Sequence, residues 1–146
     1  MSDVNKRPLL IERPIVVRTY DIDFANIVHN IVYFRWLEDL RSEILADVLP
    51  IDEILTTGIS PILTASAVEY KWPVRIGDAA VGRMWVAELS RTRWTLAAEI
   101  VVGERVCAAA RQSGYFADLK TLRPVRVPDK LRVAWDAVTN RSRSNS

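Results

Sequence analysis

Hydrophobic positions change period once along this chain, dividing it into a helical stretch followed by a sheet-forming remainder. Tyr33, Trp36, Leu37, Leu40, Ile44 and Val48 recur at spacings of three and four, with Arg35, Glu38, Asp39, Ser42 and Glu43 on the opposite face. That period predicts an amphipathic helix over residues 31 to 48, ended by Pro50. Asp52 is placed to cap a short second helix over 53 to 57, stopped by Gly58. Ahead of the long helix, residues 14 to 20 are β-branched and bounded by proline, which predicts a first strand. From residue 62 the period becomes two, predicting strands over 62 to 75, 79 to 89, 94 to 102 and 106 to 117. Short turn sequences at Ile76-Gly-Asp78, Ser90-Arg-Thr92 and Gly103-Glu104 join them, so the four should form an antiparallel meander. Trp36, Trp85 and Trp94 fall on core-facing phases. Pro124 and Pro128 then break the chain, a short helix is expected over 129 to 137, and 140 to 146 holds no core-forming residue and should fray.

One strand, one long helix and four antiparallel strands bury the helix only by curling the sheet around it. The expected architecture is therefore α+β, a curled five-stranded antiparallel sheet around one long central helix, in a single domain over residues 1 to 146. Apolar residues make up 49% of the chain, which excludes disorder for most of it. A net charge of +2 is too slight to argue for nucleic acid, although seven Lys or Arg from Lys120 onward face only Asp129 and Asp136. Cys107, alone in the run Val106-Cys-Ala-Ala-Ala110, reads as a packed thiol and leaves no intramolecular disulfide. The N-terminus lacks the apolar core of a signal peptide, and the longest uncharged run, Ile54 to Val68, is broken by Gly58 and Pro61. A soluble cytoplasmic protein without a membrane partner is expected. No glycine-rich phosphate loop, zinc spacing or Gly-x-Ser-x-Gly elbow occurs, so nucleotide, metal and serine-hydrolase chemistry lack support.

The candidate chemistry lies in the run Tyr20-Asp-Ile-Asp-Phe-Ala-Asn-Ile-Val-His-Asn-Ile-Val-Tyr33, which sets Asp21 and Asp23 just ahead of the helix start. A helix start offers unpaired N–H groups and the positive end of its dipole to a developing oxyanion, while a nearby carboxylate serves as base or nucleophile. That combination suits acyl transfer. Asp23 also fits an Asx-turn between strand and helix, and the Asn30 side chain fits a helix cap. If the backbone is extended, Asp21 and Asp23 face the same way.

The same run resembles the active-site signature of the hotdog-fold thioesterases of the 4-hydroxybenzoyl-CoA thioesterase type, approximately Tyr-x-Asp-x-Asp-x-x-Gly-[Ile/Val]-Val-x-[His/Asn]-x-x-Tyr-x-x-[Trp/Phe]-x-[Glu/Asp]. Tyr20, Asp21, Asp23, Ile27, Val28, Asn30, Tyr33, Trp36 and Glu38 stand in register with it. Asn26 replaces the usual Gly, His29 an often aromatic residue, and Asn30 the His of many members. A weaker likeness continues through Val68-Glu-Tyr-Lys-Trp-Pro73, Arg75-Ile-Gly-Asp78 and Arg123-Pro-Val-Arg-Val-Pro128, so that about residues 14 to 128 are covered.

The resemblance implies the hotdog fold and hydrolysis of an acyl-CoA. It assigns Asp23 to attack on the thioester carbonyl or to activation of water, and the backbone N–H at Asn30 to the thioester oxygen. Coenzyme A enters only as part of the substrate, and no metal or cofactor is called for. Arg91 and Arg93 fall where that family sets basic residues against coenzyme A phosphates, although a hairpin of solvated arginines fits equally. Tyr33, Thr64 and Ser66 are expected to contact substrate, with Tyr70 and Trp72 bordering the acyl pocket. His29, the lone histidine, is one residue out of the family register. Because two subunits of that family build the site between them, a homodimer or homotetramer is expected. An acyl carrier protein in place of coenzyme A, and a non-catalytic acyl-binding module of the same fold, remain as alternatives; the departures at Asn26, His29 and Asn30 support the second.

Overall fold

The computed structural model describes residues 7–144. The elements run β1 (Ile11–Ile15), α1 (Val32–Ala46), α2 (Ile51–Thr57), β2 (Ile59–Tyr70), β3 (Ala80–Leu89), β4 (Arg93–Val102), β5 (Arg105–Asp118), β6 (Pro124–Val125) and α3 (Asp129–Ser144). The strands form one antiparallel sheet in the order β1-β3-β4-β5-β2, with the two-residue β6 on β5.

Apolar spacing fixes how α1 sits. Its buried residues, Val32, Tyr33, Trp36, Leu37 and Leu40, lie at intervals of one, three and four along a single face. The first turns pack with Val28, Val74, Ala80, Ile100, Cys107 and Ala108, while Leu37 and Leu40 pack with Met84, Val86, Leu96, Ala98, Ala110 and Phe116. Burying a leucine or phenylalanine side chain of this kind stabilises the fold by roughly 1.5–3 kcal/mol, so this face holds the helix on the curled sheet. Cys107 is buried as expected, and that burial raises its thiol pKa.

Several elements depart from the sequence-based expectation. The first strand covers Ile11–Ile15, where it registers against Met84 to Ala80, and Thr19–Asp21 forms a 3-10 turn. The expected four-strand meander shrinks to β3, β4 and β5, because β2 pairs with β5 instead of β3. The cause lies in the connection: the N–H groups of Lys71 and Trp72 both donate to the Cys107 carbonyl, and Pro73 has no N–H to continue the ladder. The chain therefore leaves the sheet at Tyr70, buries Val74 against Val28, and enters β3 three strand positions away.

The helices also differ. Pro50, not Asp52, occupies the N-cap of α2, and Asp52 stands in its first turn, where the dipole favours a negative charge. The C-terminal helix continues to Ser144 instead of stopping near 137, so it takes up much of the tail expected to fray; residues 145 and 146 lie outside the described range. Leu131 is buried, the Trp135 indole N–H donates to the Val86 carbonyl at 3.0 Å, and Arg132 donates to the Ser90 carbonyl, which ties α3 to β3 and its turn. One long central helix is thus joined by a second of similar length. Trp85 is half-buried on the outer sheet face with the Arg7 guanidinium 4.3 Å from its ring centre, whereas Trp36 and Trp94 are in the core.

Candidate active site

The loop between β1 and α1 is built by short-range hydrogen bonds that separate its two carboxylates. Asp21, only 3% exposed, accepts the Arg18 N–H at 2.9 Å and pairs with the Arg35 guanidinium at 3.2 Å. It is structural: it closes the 3-10 turn and ties the loop to α1. Asp23 is exposed, and its Oδ1 accepts the N–H groups of Ala25 at 2.8 Å and Ile27 at 3.0 Å. The two side chains therefore do not face the same way, because the 3-10 turn replaces the extended backbone that would have aligned them.

Those two N–H donors set the electrostatics of Asp23. The Ile27 N–H acts most strongly to hold the carboxyl below its usual range, and the Ala25 N–H and the charge of His29 act in the same direction, against a smaller desolvation effect. Oδ1 is committed to the loop. Among the described residues no hydrogen bond is made to Oδ2, which leaves one oxygen of the ionised carboxylate without a partner there.

Asn26 shows why the loop tolerates losing the usual glycine. Its φ is +58°, a left-handed conformation that Gly adopts freely and Asn more readily than most residues. Its side chain adds something Gly lacks, since Oδ1 accepts the Ile76 N–H at 2.9 Å, and Arg75 donates nearby to the Ala25 carbonyl. Asn26 thus pins the catalytic-candidate loop to the turn before β3.

The helix start follows at once. The N–H of Val32 donates to the His29 carbonyl, Ile31 stands at the N-cap, and no side chain caps it, so Asn30 does not cap α1 through its amide. Among the described residues the N–H groups of Asn30 and Ile31 find no protein acceptor. They stand at the positive end of a 15-residue helix. The Asn30 carbonyl is held from the other side by the Tyr70 hydroxyl, which donates to it at 3.0 Å. Tyr33 packs edge-on against both Trp36 and Tyr70 with ring centres 5.0 Å apart, and burial raises its phenol pKa so that it stays neutral. Ile27, Val28, Asn30, Tyr33, Tyr70, Lys71, Trp72 and Pro73 line a pocket of about 190 Å³ beside this helix start. His29 is exposed and its N–H is taken by the Asp21 carbonyl.

The other candidates lie elsewhere. Thr64, the extra residue of a bulge in β2, donates to the Ser113 carbonyl and receives Arg93 at 3.4 Å. It stands six residues from Tyr70, about 20 Å along an extended strand. Arg91 is exposed on the same hairpin, and its carbonyl accepts the Val127 N–H. Ser66 lies between the two groups, bound to a buried Gln112 that sequence reasoning passed over. A glutamine on the core phase of an otherwise small and apolar strand face, Ala108, Ala110, Gly114 and Phe116, was the available sign.

Two N–H donors without acceptors among the described residues, in the same loop as an ionised aspartate seven residues earlier, supply the groups needed to polarise a carbonyl and to attack it. A family model described as the thioesterase-like superfamily matches residues 17–135. The chain belongs to the thioesterase-like superfamily. A protein of Aquifex aeolicus, provisionally named an esterase, is 28% identical over 116 residues, 79% of this thioesterase-like chain and 89% of that protein. A Staphylococcus aureus protein solved in complex with CoA superposes with a TM-score of 0.84 at 14% identity, covering 90% of this chain and 84% of the other. The 1,4-dihydroxy-2-naphthoyl-CoA thioesterase of Synechocystis gives 0.77 at 18% identity, with 86% and 94% covered. These last two likenesses establish the hotdog-type fold of the superfamily member described above.

Proposed function

We propose that the chain hydrolyses an acyl-CoA to free acid and coenzyme A, with the Asp23 carboxylate and the helix-start N–H groups of Asn30 and Ile31 as its machinery, in the manner of the 4-hydroxybenzoyl-CoA type. The observation that carries this reading is a loop-held carboxylate followed, at the helix start, by N–H donors that have no acceptor among the described residues. The donors receive the thioester oxygen as it gains negative charge. Asp23 acts as nucleophile: a carboxyl held below its usual range is a weak base but remains ionised, and Oδ2 makes no hydrogen bond among the described residues. Its attack forms an acyl-aspartyl anhydride and expels the thiolate, which takes a proton from solvent; water then opens the anhydride and restores the carboxylate.

The CoA-bound Staphylococcus aureus structure and the naphthoyl-CoA thioesterase support coenzyme A as the carrier, and the machinery requires no metal or organic cofactor. In this reading Arg91 and Arg93 meet the coenzyme's phosphates, and the reaction takes place in the cytoplasm. Release of free thiol from a panel of aryl, short, medium and long acyl-CoAs tests the activity, with turnover expected on at least one. In the same assay the double variant Arg91→Ala/Arg93→Ala should raise KM with kcat nearly unchanged, because a remote contact stabilises ground and transition states alike. No turnover across the panel, with ligand-induced stabilisation alone, would identify a binding module.

The site is completed by a second copy. Among the described residues β2 pairs only with β5, and residues 63 to 67 are all exposed, which leaves a long free edge beside the helix-start pocket. A homodimer, or a tetramer built from it, covers that edge. Light scattering at micromolar concentration should give at least twice the monomer mass of 16.6 kDa, and a strict monomer would sink this assignment.

A further inference from the structure

The seam between α1 and β2 is apolar along most of its length and ends in a polar relay. Three rungs join the two elements. Tyr33 meets Tyr70, Leu37 and Val68 line one small void, and Arg41 reaches Ser66 through Gln112. Steps of four on the helix, about 6 Å, match steps of two on the strand, about 6.6 Å, so the rungs keep register. The third rung lies about 12 Å from the first.

The chemistry of that rung fixes its polarity. A guanidinium only donates, so the oxygen of the Gln112 amide must face Arg41, whose Nη1 donates to it at 2.9 Å. The amide nitrogen then faces Ser66 and donates to its Oγ at 2.9 Å. Ser66 has thereby used an acceptor position, and among the described residues its own O–H donates to no protein group. Gln112 is only 3% exposed, and Arg41, 13% exposed, carries an ion pair with Glu38, so the relay is fixed in place and its charge is offset. Beyond it, Arg41 borders a wholly apolar void with Ile44, Leu45, Trp94, Leu96 and Phe116. A buried amide in that setting keeps its place only if fully bonded, and here the bonding ends in an exposed hydroxyl donor.

We propose that Ser66, oriented by Gln112 and Arg41, binds an oxygen acceptor near the far end of the acyl group, and that the preferred substrates are medium-length acyl thioesters oxygenated at that end. This rests on the thioesterase reading of the helix-start site and extends it. An acyl chain running from the Asn30 and Ile31 donors along the seam passes apolar rungs first and meets the Ser66 hydroxyl last. The ten residues from Ile31 to Arg41 span about 15 Å, which corresponds to about twelve bonds at the spacing of a fully extended backbone.

Calorimetric binding of dodecanoyl-CoA and ω-hydroxydodecanoyl-CoA to the Asp23→Asn protein, which cannot attack the thioester, tests the preference apart from turnover. The hydroxylated ligand should bind about three- to tenfold more tightly. Ser66→Ala should bring the ratio of dissociation constants to one, while Ser66→Thr, which keeps the hydroxyl, should preserve it. Equal affinities in the Asp23→Asn protein, or a ratio that survives Ser66→Ala, would overturn the proposal. Preferential binding without turnover by the protein carrying Asp23 would instead overturn the thioesterase reading and leave this one standing.

Discussion

Asp23→Asn should lower kcat by about ten-thousandfold or more, as loss of a nucleophile does, while leaving the affinity for acyl-CoA near that of the unchanged protein. The substitution keeps the Oδ1 acceptor that holds the Ala25 and Ile27 N–H groups, so the loop should keep its shape. What it removes is the charge on the oxygen that attacks. Asp21→Asn should lose far less activity and should instead loosen the loop, because Asp21 is buried against Arg18 and Arg35. The pH dependence carries a sign. The active form is the deprotonated one, and the Ile27 N–H holds the Asp23 carboxyl below its usual range, so kcat/KM should stay level from neutral pH into the acid range and fall only as the carboxylate takes up a proton. His29→Ala should leave that limb in place. Single turnover in ¹⁸O-water should put label into Asp23 where water attacks the aspartyl carbonyl of the anhydride, and into the free acid where it attacks the acyl carbonyl. Loss of activity in His29→Ala with retention in Asp23→Asn would make the lone histidine the base.

Local patterns were legible in the sequence to the extent that local forces decide them. The spacing of Tyr33, Trp36, Leu37 and Leu40 marked the buried face of α1, and the alternation around Leu96, Ala98 and Ile100 marked β4, because both patterns follow from the repeat of one element. The partner of β2 was not legible. It depends on where Lys71 and Trp72 place their N–H groups, a contact with Cys107 more than thirty residues away. The run from Asp23 to Tyr33 could be read as a site since it is contiguous. That the Asp21 and Asp23 side chains diverge could not, because a 3-10 turn and an ion pair to Arg35 on the helix decide it. Asn26, read as a departure, is the residue that makes the loop's left-handed turn possible without glycine. Ser66 was named for its strand alone; its role as the end of a relay needs three elements brought together.

Gly114→Ala should destabilise the fold by about 3 kcal/mol, more than the same change at Gly82. A Cβ on Gly114 would fall onto the Ile62 carbonyl of the neighbouring strand and 2.6 Å from the Trp94 ring, so relief requires β2 to move away from β5. At Gly82 the nearest atoms are the methyl ends of Ile15 and Leu40, at 2.8 and 2.9 Å, and these side chains can turn aside at a loss of about 1 kcal/mol. The close approach at Gly114 coincides with the β2 bulge between Leu63 and Ala65, which inserts Thr64 and sets the register of the rest of the strand. That register places Ser66 on Gln112 and Tyr70 beside the Asn30 carbonyl. Urea denaturation should therefore show a lower midpoint at unchanged slope for both variants. Hydrogen exchange should show loss of protection concentrated in β2 for Gly114→Ala only. The protein that remains folded should also lose activity, because β2 carries the Tyr70 hydroxyl that positions the helix start. Equal midpoint shifts for the two glycine variants would mean that the Ile62 contact relaxes without moving the strand.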